Sequence, residues 1–214
     1  MKRYSILAVI VLFVLCFLKP NSSYGEENRI KINQIIENFE SVGEWGTTSQ
    51  FFNKPTISFD CSKEQVHDGS SSGKISYENL ALKKEWIAKG RKVGYIGVSL
   101  KKEIPGIVTE ISLWVYGNEG GEGLLLRIDD AYRETYICSA GKINWQGWKY
   151  CTFEITSKAY HYTISSDAIK NDRVDYPLFG NMDILLDGLT EGMSGIVYLD
   201  NLTATTLVTP ADIE

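Results

Sequence analysis

Residues 109–155 read TEISLWVYGNEGGEGLLLRIDDAYRETYICSAGKINWQGWKYCTFEI, and this stretch decides the fold. It contains four runs rich in β-branched and aromatic residues, each bounded by turn residues. That pattern predicts an antiparallel meander. Ile111, Leu113 and Val115 share one parity, while Ser112, Trp114 and Tyr116 share the other. Leu124, Leu126 and Ile128 oppose Leu125, Arg127 and Asp129 in the same way. Successive side chains of a strand point to opposite faces, so one face can build a core. The other offers aromatic, basic and acidic groups.

The flanking sequence repeats the theme. Thr56–Phe59 (TISF), Lys74–Tyr77 (KISY) and Val93–Leu100 (VGYIGVSL) read as strands, and His67–Gly73 (HDGSSSG) as a turn. Asn79–Lys92 reads as a long loop carrying Trp86, because its ALKKEW segment has no clear cap for a helical turn. Thr156–Pro177 is polar and Tyr-containing and reads as a loop with one short element. Met182–Leu186 and Gly195–Thr203 close the fold as strands. Residues 26–35 form a lead-in, 36–205 one domain, and 206–214 a short acidic tail. Many short strands rich in Tyr and Trp, with few helix signals, predict an all-β sandwich.

The first 25 residues form a targeting signal. Lys2 and Arg3 precede an apolar run from Ile6 to Leu18, Pro20 breaks it, and small residues at Ser23 and Gly25 suit cleavage after Gly25. The apolar run is shorter than the roughly 20 residues of a membrane span, so no membrane association is expected after cleavage. Cys16 does not make a lipidation signal, because Leu15 stands where a small residue is needed. Location outside the cell or in the cell envelope follows. Without the three basic residues of the signal, 19 Lys and Arg face 27 Asp and Glu, a net charge of −8. Nucleic-acid binding needs clustered cations to neutralise phosphate, and this balance argues against it.

Cys61, Cys138 and Cys151 remain after cleavage. Cys138 and Cys151 fall on consecutive predicted strands joined by a turn, so a cross-strand disulfide and a pair of buried thiols both satisfy the sequence. Cys61 is then free. No Cys-x-x-Cys pair marks a zinc or redox site.

Catalytic signals are absent. His67 and His161 are isolated, and neither a Gly-x-Ser-x-Gly elbow nor a His-Glu-x-x-His helix occurs. Gly117–Gly123 joins two strands and lacks a Lys, so it reads as a hairpin turn rather than a phosphate cradle. Asp129 and Asp130 are strand neighbours pointing to opposite faces and cannot flank one glycosidic bond. Binding is better supported. Arg127 and Asp129 project from one face, and Trp86, Tyr95, Tyr132 and Tyr136 are expected to join them. Aromatic rings stack on the C–H faces of sugars, while Arg and Asp hydrogen-bond to hydroxyls. Trp45, Trp114 and Trp148 are expected in the core or packing turns. A metal is the last candidate. Glu37 and Glu40 near the start and Asp200 near the end, with carbonyls of the HDGSSSG turn, would suit Ca²⁺.

Five segments, in order, resemble β-jelly-roll carbohydrate-binding modules. Ile36–Glu40 (IENFE) followed by Trp45 resembles their "DDFE…W" opening. His67–Tyr77 resembles their "GxxGxxLxxxY" turn and strand, and Ile111–Gly117 their "LSxWVYG" strand. Trp145–Lys149 resembles the "xGW" that opens the next strand, and Val197–Leu202 the closing "hydrophobic-D-N-I". The match spans Ile36 to Ala204 and is nearest to the family 11-like modules and related galactose-binding-like domains. It implies two facing antiparallel sheets, a glycan cleft on the concave one, and a structural calcium ion tying the first and last strands. Glu40 and Asp200 match the family's metal positions best, and Glu37 is a further candidate. Glu37 and Asn38 stand where the family has two aspartates. Arg127, Asp129 and Tyr136 are carried onto the ligand face. The resemblance implies a non-catalytic protein binding a poly- or oligosaccharide or cell-surface glycan. A cell-envelope interaction protein on the same fold, and a jelly-roll hydrolase or lyase, are the alternatives.

Overall fold

A computed structural model describes residues 29–163, 166, 168–178 and 181–209. The predicted targeting signal and the end of the acidic tail fall outside the described residues. Twelve strands and one helical turn follow in chain order: β1 (Ile30–Glu37), β2 (Gly46–Gln50), β3 (Thr56–Ser62), β4 (Ser72–Glu78), α1 (Lys84–Ile87), β5 (Gly94–Lys101), β6 (Ile107–Asn118), β7 (Gly123–Asp129), β8 (Glu134–Lys142), β9 (Gln146–Glu154), β10 (Tyr160–Thr163), β11 (Asn181–Leu189) and β12 (Gly195–Val208). They form two antiparallel sheets. The first has the order β3-β4-β12-β6-β9, with β1 also paired to β12; the second is β10-β8-β7-β11-β5-β2. The architecture is an all-β sandwich. No helix among the described residues is long and apolar enough to cross a membrane.

Alternation builds the core. Ile111, Leu113 and Val115 of the first sheet and Leu124, Leu126 and Ile128 of the second are all buried in one cluster. Burying each such side chain contributes about 1.5–3 kcal/mol relative to leaving it in water.

Residues 109–155 are not a meander, however. β6 pairs with β9 in the first sheet, while β7 and β8 pair in the second. The chain therefore crosses the sandwich between β6 and β7 and again between β8 and β9, wrapping the two sheets as a jelly roll does. The glycine-rich segment is the first crossing, not a hairpin. It does use positive φ, at Glu119 (61°) and Gly121 (82°). Tyr77 donates its hydroxyl proton to Glu122, which is buried inside the crossing. Backbone bonds from Gly121 to Ile143 (2.9 Å) and from Ile143 to Glu122 (2.8 Å) fasten this crossing to the next one.

The same wrapping separates the two cysteines. Cys138 lies on β8 and Cys151 on β9, in different sheets, and both are buried free thiols. Burial pushes each thiol up to about 11. The lead-in is also structured: β1 runs antiparallel to β12 from Ile35↔Thr203 to Ile30↔Val208. The closing strand thus extends to Val208, into the predicted tail. Trp86 sits in the one-turn helix α1, not in an unstructured loop.

The segment 168–178 closes one end of the sandwich. Ile104 bridges to Leu178, Tyr176 Oη donates to the Val108 carbonyl of β6 (2.8 Å), and the Asp175 amide donates to Asp130 (3.2 Å). Asp130 itself caps the β7–β8 turn, taking the amides of Tyr132 (2.9 Å) and Glu134 (2.8 Å).

Candidate functional site

The outer face of the second sheet gathers the polar and aromatic residues. Outward positions follow from register. Arg127 on β7 pairs with Asp183 on β11, which pairs with Ser99 on β5; Gln50 on β2 pairs with Tyr95 on β5. Their side chains form one row. Arg127 Nε donates to Asp183 Oδ2 at 2.5 Å, and Arg127 Nη1 to Tyr95 Oη at 2.9 Å. Tyr95 Oη donates to Gln50 Oε1 at 2.6 Å. The row crosses four strands. Asp183 is 1% exposed and has Arg127 as its ion-pair partner. Burial opposes the guanidinium charge, but Asp183 and the neighbouring tyrosines hold the Arg127 pKa above its ordinary value.

Beside the row, Asp129 accepts from Thr135 Oγ1 across the β7–β8 hairpin at 2.7 Å. Burial raises its pKa above the usual carboxylate value, against the lowering effects of Thr135 and Arg127. The far edge is aromatic. Tyr160 and Tyr162 on β10 pair with Ile137 and Thr135, both outward positions, and their rings lie 5.8 Å apart. Tyr160 is 70% exposed. At the opposite end Phe51 packs against Tyr95 (5.9 Å) and Trp86 (4.9 Å), and the Arg91 guanidinium lies 3.6 Å over the Phe51 ring.

Of the predicted binding residues, Arg127, Asp129 and Tyr95 are brought together. Trp86 reaches the row only through Phe51. Tyr132 lies in the β7–β8 turn, off the strands, with its carbonyl accepting from Ile169. Tyr136 is a correction: it pairs with the inward Ile128 and is fully buried. The hairpin register places Thr135 opposite Asp129 and Ile137 opposite Arg127, so Tyr136 points the other way. Asp183, Gln50, Tyr160 and Tyr162 were not anticipated. The only signal for the tyrosines was the alternation in Tyr160-His161-Tyr162, and no sequence signal places β11 between β7 and β5.

The tryptophans also divide. Trp45 packs against Phe39 and Phe59, at 5.7 and 5.6 Å. Trp114 and Trp148 are not in the core. They stand on the outer face of the first sheet, ringed by Tyr116 and Tyr150, and His67 stacks on Trp114 at 3.8 Å.

The three carboxylates named for calcium are each engaged. Glu37 accepts the Phe39 amide (2.9 Å) with one oxygen and Trp45 Nε1 (3.2 Å) with the other. Glu40 accepts from the amides and hydroxyls of Ser70 and Ser71, and these bonds lower its pKa. Gly69 (φ +71°) is needed beside it, because a Cβ there would collide with the Glu40 carboxylate. Asp200 Oδ2 takes the His67 and Asp68 amides at 2.9 and 3.1 Å. Its Oδ1 is buried without a hydrogen-bond partner, which fits a cation there. Glu40 and Asp200 thus hold opposite ends of the same turn.

Comparison with solved structures gives the same fold. The family 11 carbohydrate-binding module of the cellulosomal cellulase Lic26A-Cel5E of Clostridium thermocellum superposes with a TM-score of 0.52 at 13% identity, covering 83% of this chain and 96% of the module. A family 11 module from Clostridium thermocellum in complex with a β-1,3-1,4-mixed-linked tetrasaccharide gives 0.52 at 14% identity, covering 83% and 97%. The fold is that of the β-sandwich jelly-roll carbohydrate-binding modules. No protein-family model matches the sequence, and no curated protein matches it significantly.

Proposed function

We propose that this protein is a secreted, non-catalytic carbohydrate-binding module that takes a poly- or oligosaccharide along the outer face of the second sheet. The observation that carries the reading is the Gln50–Tyr95–Arg127–Asp183 row, which leads towards an edge made of the exposed Tyr160 and the half-buried Tyr162. Exposed tyrosine rings supply stacking surfaces, and the fixed guanidinium and carboxylates supply hydrogen bonds to hydroxyls. The row is pre-ordered by its own bonds, which reduces the conformational entropy lost on binding. Asp129 and Asp183, the two carboxylates flanking Arg127, are tied to Thr135 and to Arg127; their roles are to bind and orient. The fold shared with sugar-bound modules supports the assignment.

A structural Ca²⁺ belongs to the same proposal. Asp200, Glu40 and carbonyls of the His67–Ser71 turn would hold it, and the ion would neutralise the unpartnered Asp200 oxygen and pin the turn to β12.

Affinity electrophoresis through soluble β-glucans, other plant polysaccharides and cell-wall glycans tests the binding assignment. Retardation by at least one of them is expected, and it should weaken about tenfold or more in Tyr162→Ala, since a hot-spot aromatic is worth about 2 kcal/mol. Free migration in all of them would overturn it. That result would favour an interaction protein of the cell envelope, with the Trp114–Trp148–Tyr150 face as its surface.

A further inference from the structure

Outside the sugar-binding face and the Asp200 turn, one cluster stands apart. We propose that Glu134, His161 and Asp172 form a binding site for a divalent transition-metal ion, and that the donor set selects zinc. The three residues come from β8, β10 and the 168–178 segment, and their ligand atoms all lie within 4.8 Å of one another. His161 Nε2 is 3.4 Å from Glu134 Oε1 and 3.1 Å from Asp172 Oδ1. Tetrahedral zinc with bonds of about 2.0–2.1 Å places its ligand atoms about 3.3–3.4 Å apart, so the existing spacing needs only small adjustments.

Two further observations point to a cation. The first is the tautomer. His161 Nδ1 is 3.1 Å from the Ala159 carbonyl, an acceptor only, so Nδ1 carries the proton. That is the outer bond typical of a metal-bound histidine, and it turns Nε2 towards two carboxylate oxygens. Two carboxylates converging on one ring nitrogen call for a positive charge there, supplied either by a second proton on Nε2 or by a bound cation. The second is Glu134. It is fully buried; among the described residues Oε2 accepts the Asn171 amide at 3.3 Å, and Oε1 makes no hydrogen bond, with His161 Nε2 3.4 Å away. A buried carboxylate oxygen left in that state is costly, and a bound ion would remove the cost.

The surroundings match a site that takes its ion from solution. The Asp172 side chain is 70% exposed and leaves the cluster open on that side, with room for a water ligand. Lys170 Nζ approaches Asp172 Oδ1 from solvent at 3.6 Å. Asn171 Nδ2 donates to Asp175 at 2.5 Å and fixes the segment next to Asp172. An imidazole nitrogen among two carboxylates suits zinc and not calcium, which prefers oxygen donors throughout. The ion would clip β10 and the 168–178 segment onto β8. The site is independent of the sugar-binding assignment.

The test uses the chain from Glu26, stripped with chelator and titrated with zinc chloride at pH 7.5 by calorimetry and thermal melting. One equivalent is expected to bind and to raise the melting temperature. His161→Gln and the exposed-site variant Asp172→Asn should each weaken zinc binding by about tenfold or more, because loss of even an outer-shell partner costs that much. Both variants should keep the wild-type melting temperature in chelator, to within a few degrees. No saturable uptake by the wild type, or uptake unchanged in both variants, overturns the proposal. So does ¹⁵N NMR showing a proton on His161 Nε2 in excess zinc.

Discussion

Arg127 and Tyr136 show what a single residue can reveal from sequence. Arg127 and Asp129 lie in one strand, so their common face followed from spacing alone. Tyr136 lies across a turn, and carrying parity over residues 130–133 requires the register, which the sequence does not state. Asp183 was hidden for the same reason. It sits in the apolar run MDILL, yet β11 presents it beside Arg127. That pair carries the first prediction. Arg127→Ala leaves Asp183 buried and uncompensated, and should lower unfolding free energy by about 3–5 kcal/mol. The double variant Arg127→Met/Asp183→Leu should recover most of this in urea titrations while remaining unable to bind glycan. Recovery of both stability and binding would remove Arg127 from the site. Asp129 carries the second. Burial raises its pKa above 3.8, and does the same to Asp130. Each therefore holds a proton in the folded state at a pH where the unfolded chain has lost it. Their contribution is fully present below pH 3.8 and is lost as the pH rises through the folded-state values. Asp129→Asn should flatten that part of the profile, giving a smaller loss of urea midpoint from pH 3.5 upwards than wild type.

At the scale of elements, strand existence was legible and strand partnership was not. Alternation with period two marks a strand in either sheet, so β6 to β9 read correctly as four strands and wrongly as neighbours in one sheet. Two crossings, each short enough to pass for a hairpin loop, make the difference. The first depends on Tyr77 and the buried Glu122. Tyr77→Phe removes the donor and should cost about 1–3 kcal/mol, the penalty of an unsatisfied buried acceptor. The measurement is the urea midpoint at unchanged m-value; a change below about 0.5 kcal/mol would mean that Glu122 is protonated or solvated. The wrapped connectivity also sets thiol behaviour. In the chain from Glu26, Ellman's reagent at pH 8 should label Cys61 promptly and Cys138 and Cys151 only on unfolding. They are buried, with pKa values pushed up to about 11. Labelling of fewer than three thiols in denaturant without reductant would reveal a bridge.

For the whole molecule, ordered short motifs located the jelly roll even though the structural relatives share only 13–14% identity. What such motifs conserve is the packing of turns and inner faces, so they report the fold and leave the ligand face nearly unmarked. This is why Glu40 and Asp200 were found at two ends of one turn, while Gln50, Tyr160 and Tyr162 were missed. If calcium completes that turn, excess chelator should lower the melting temperature by several degrees without unfolding the protein at room temperature, as ligand linkage requires. His161→Gln separates this loss from any loss of zinc, since only the calcium-dependent part should remain in that variant. An identical melting curve with and without chelator in that variant would remove calcium from the proposal. Ile30 and Val208 are direct cross-strand partners on β1 and β12. The first and last described strands therefore leave the sandwich side by side, from the sheet opposite the Arg127 row. A neighbouring domain fused at either terminus would be tethered at the same point, behind the Arg127 row, and if that row binds a glycan as proposed, the domain could swing on that single anchor with the row free to meet a polymer.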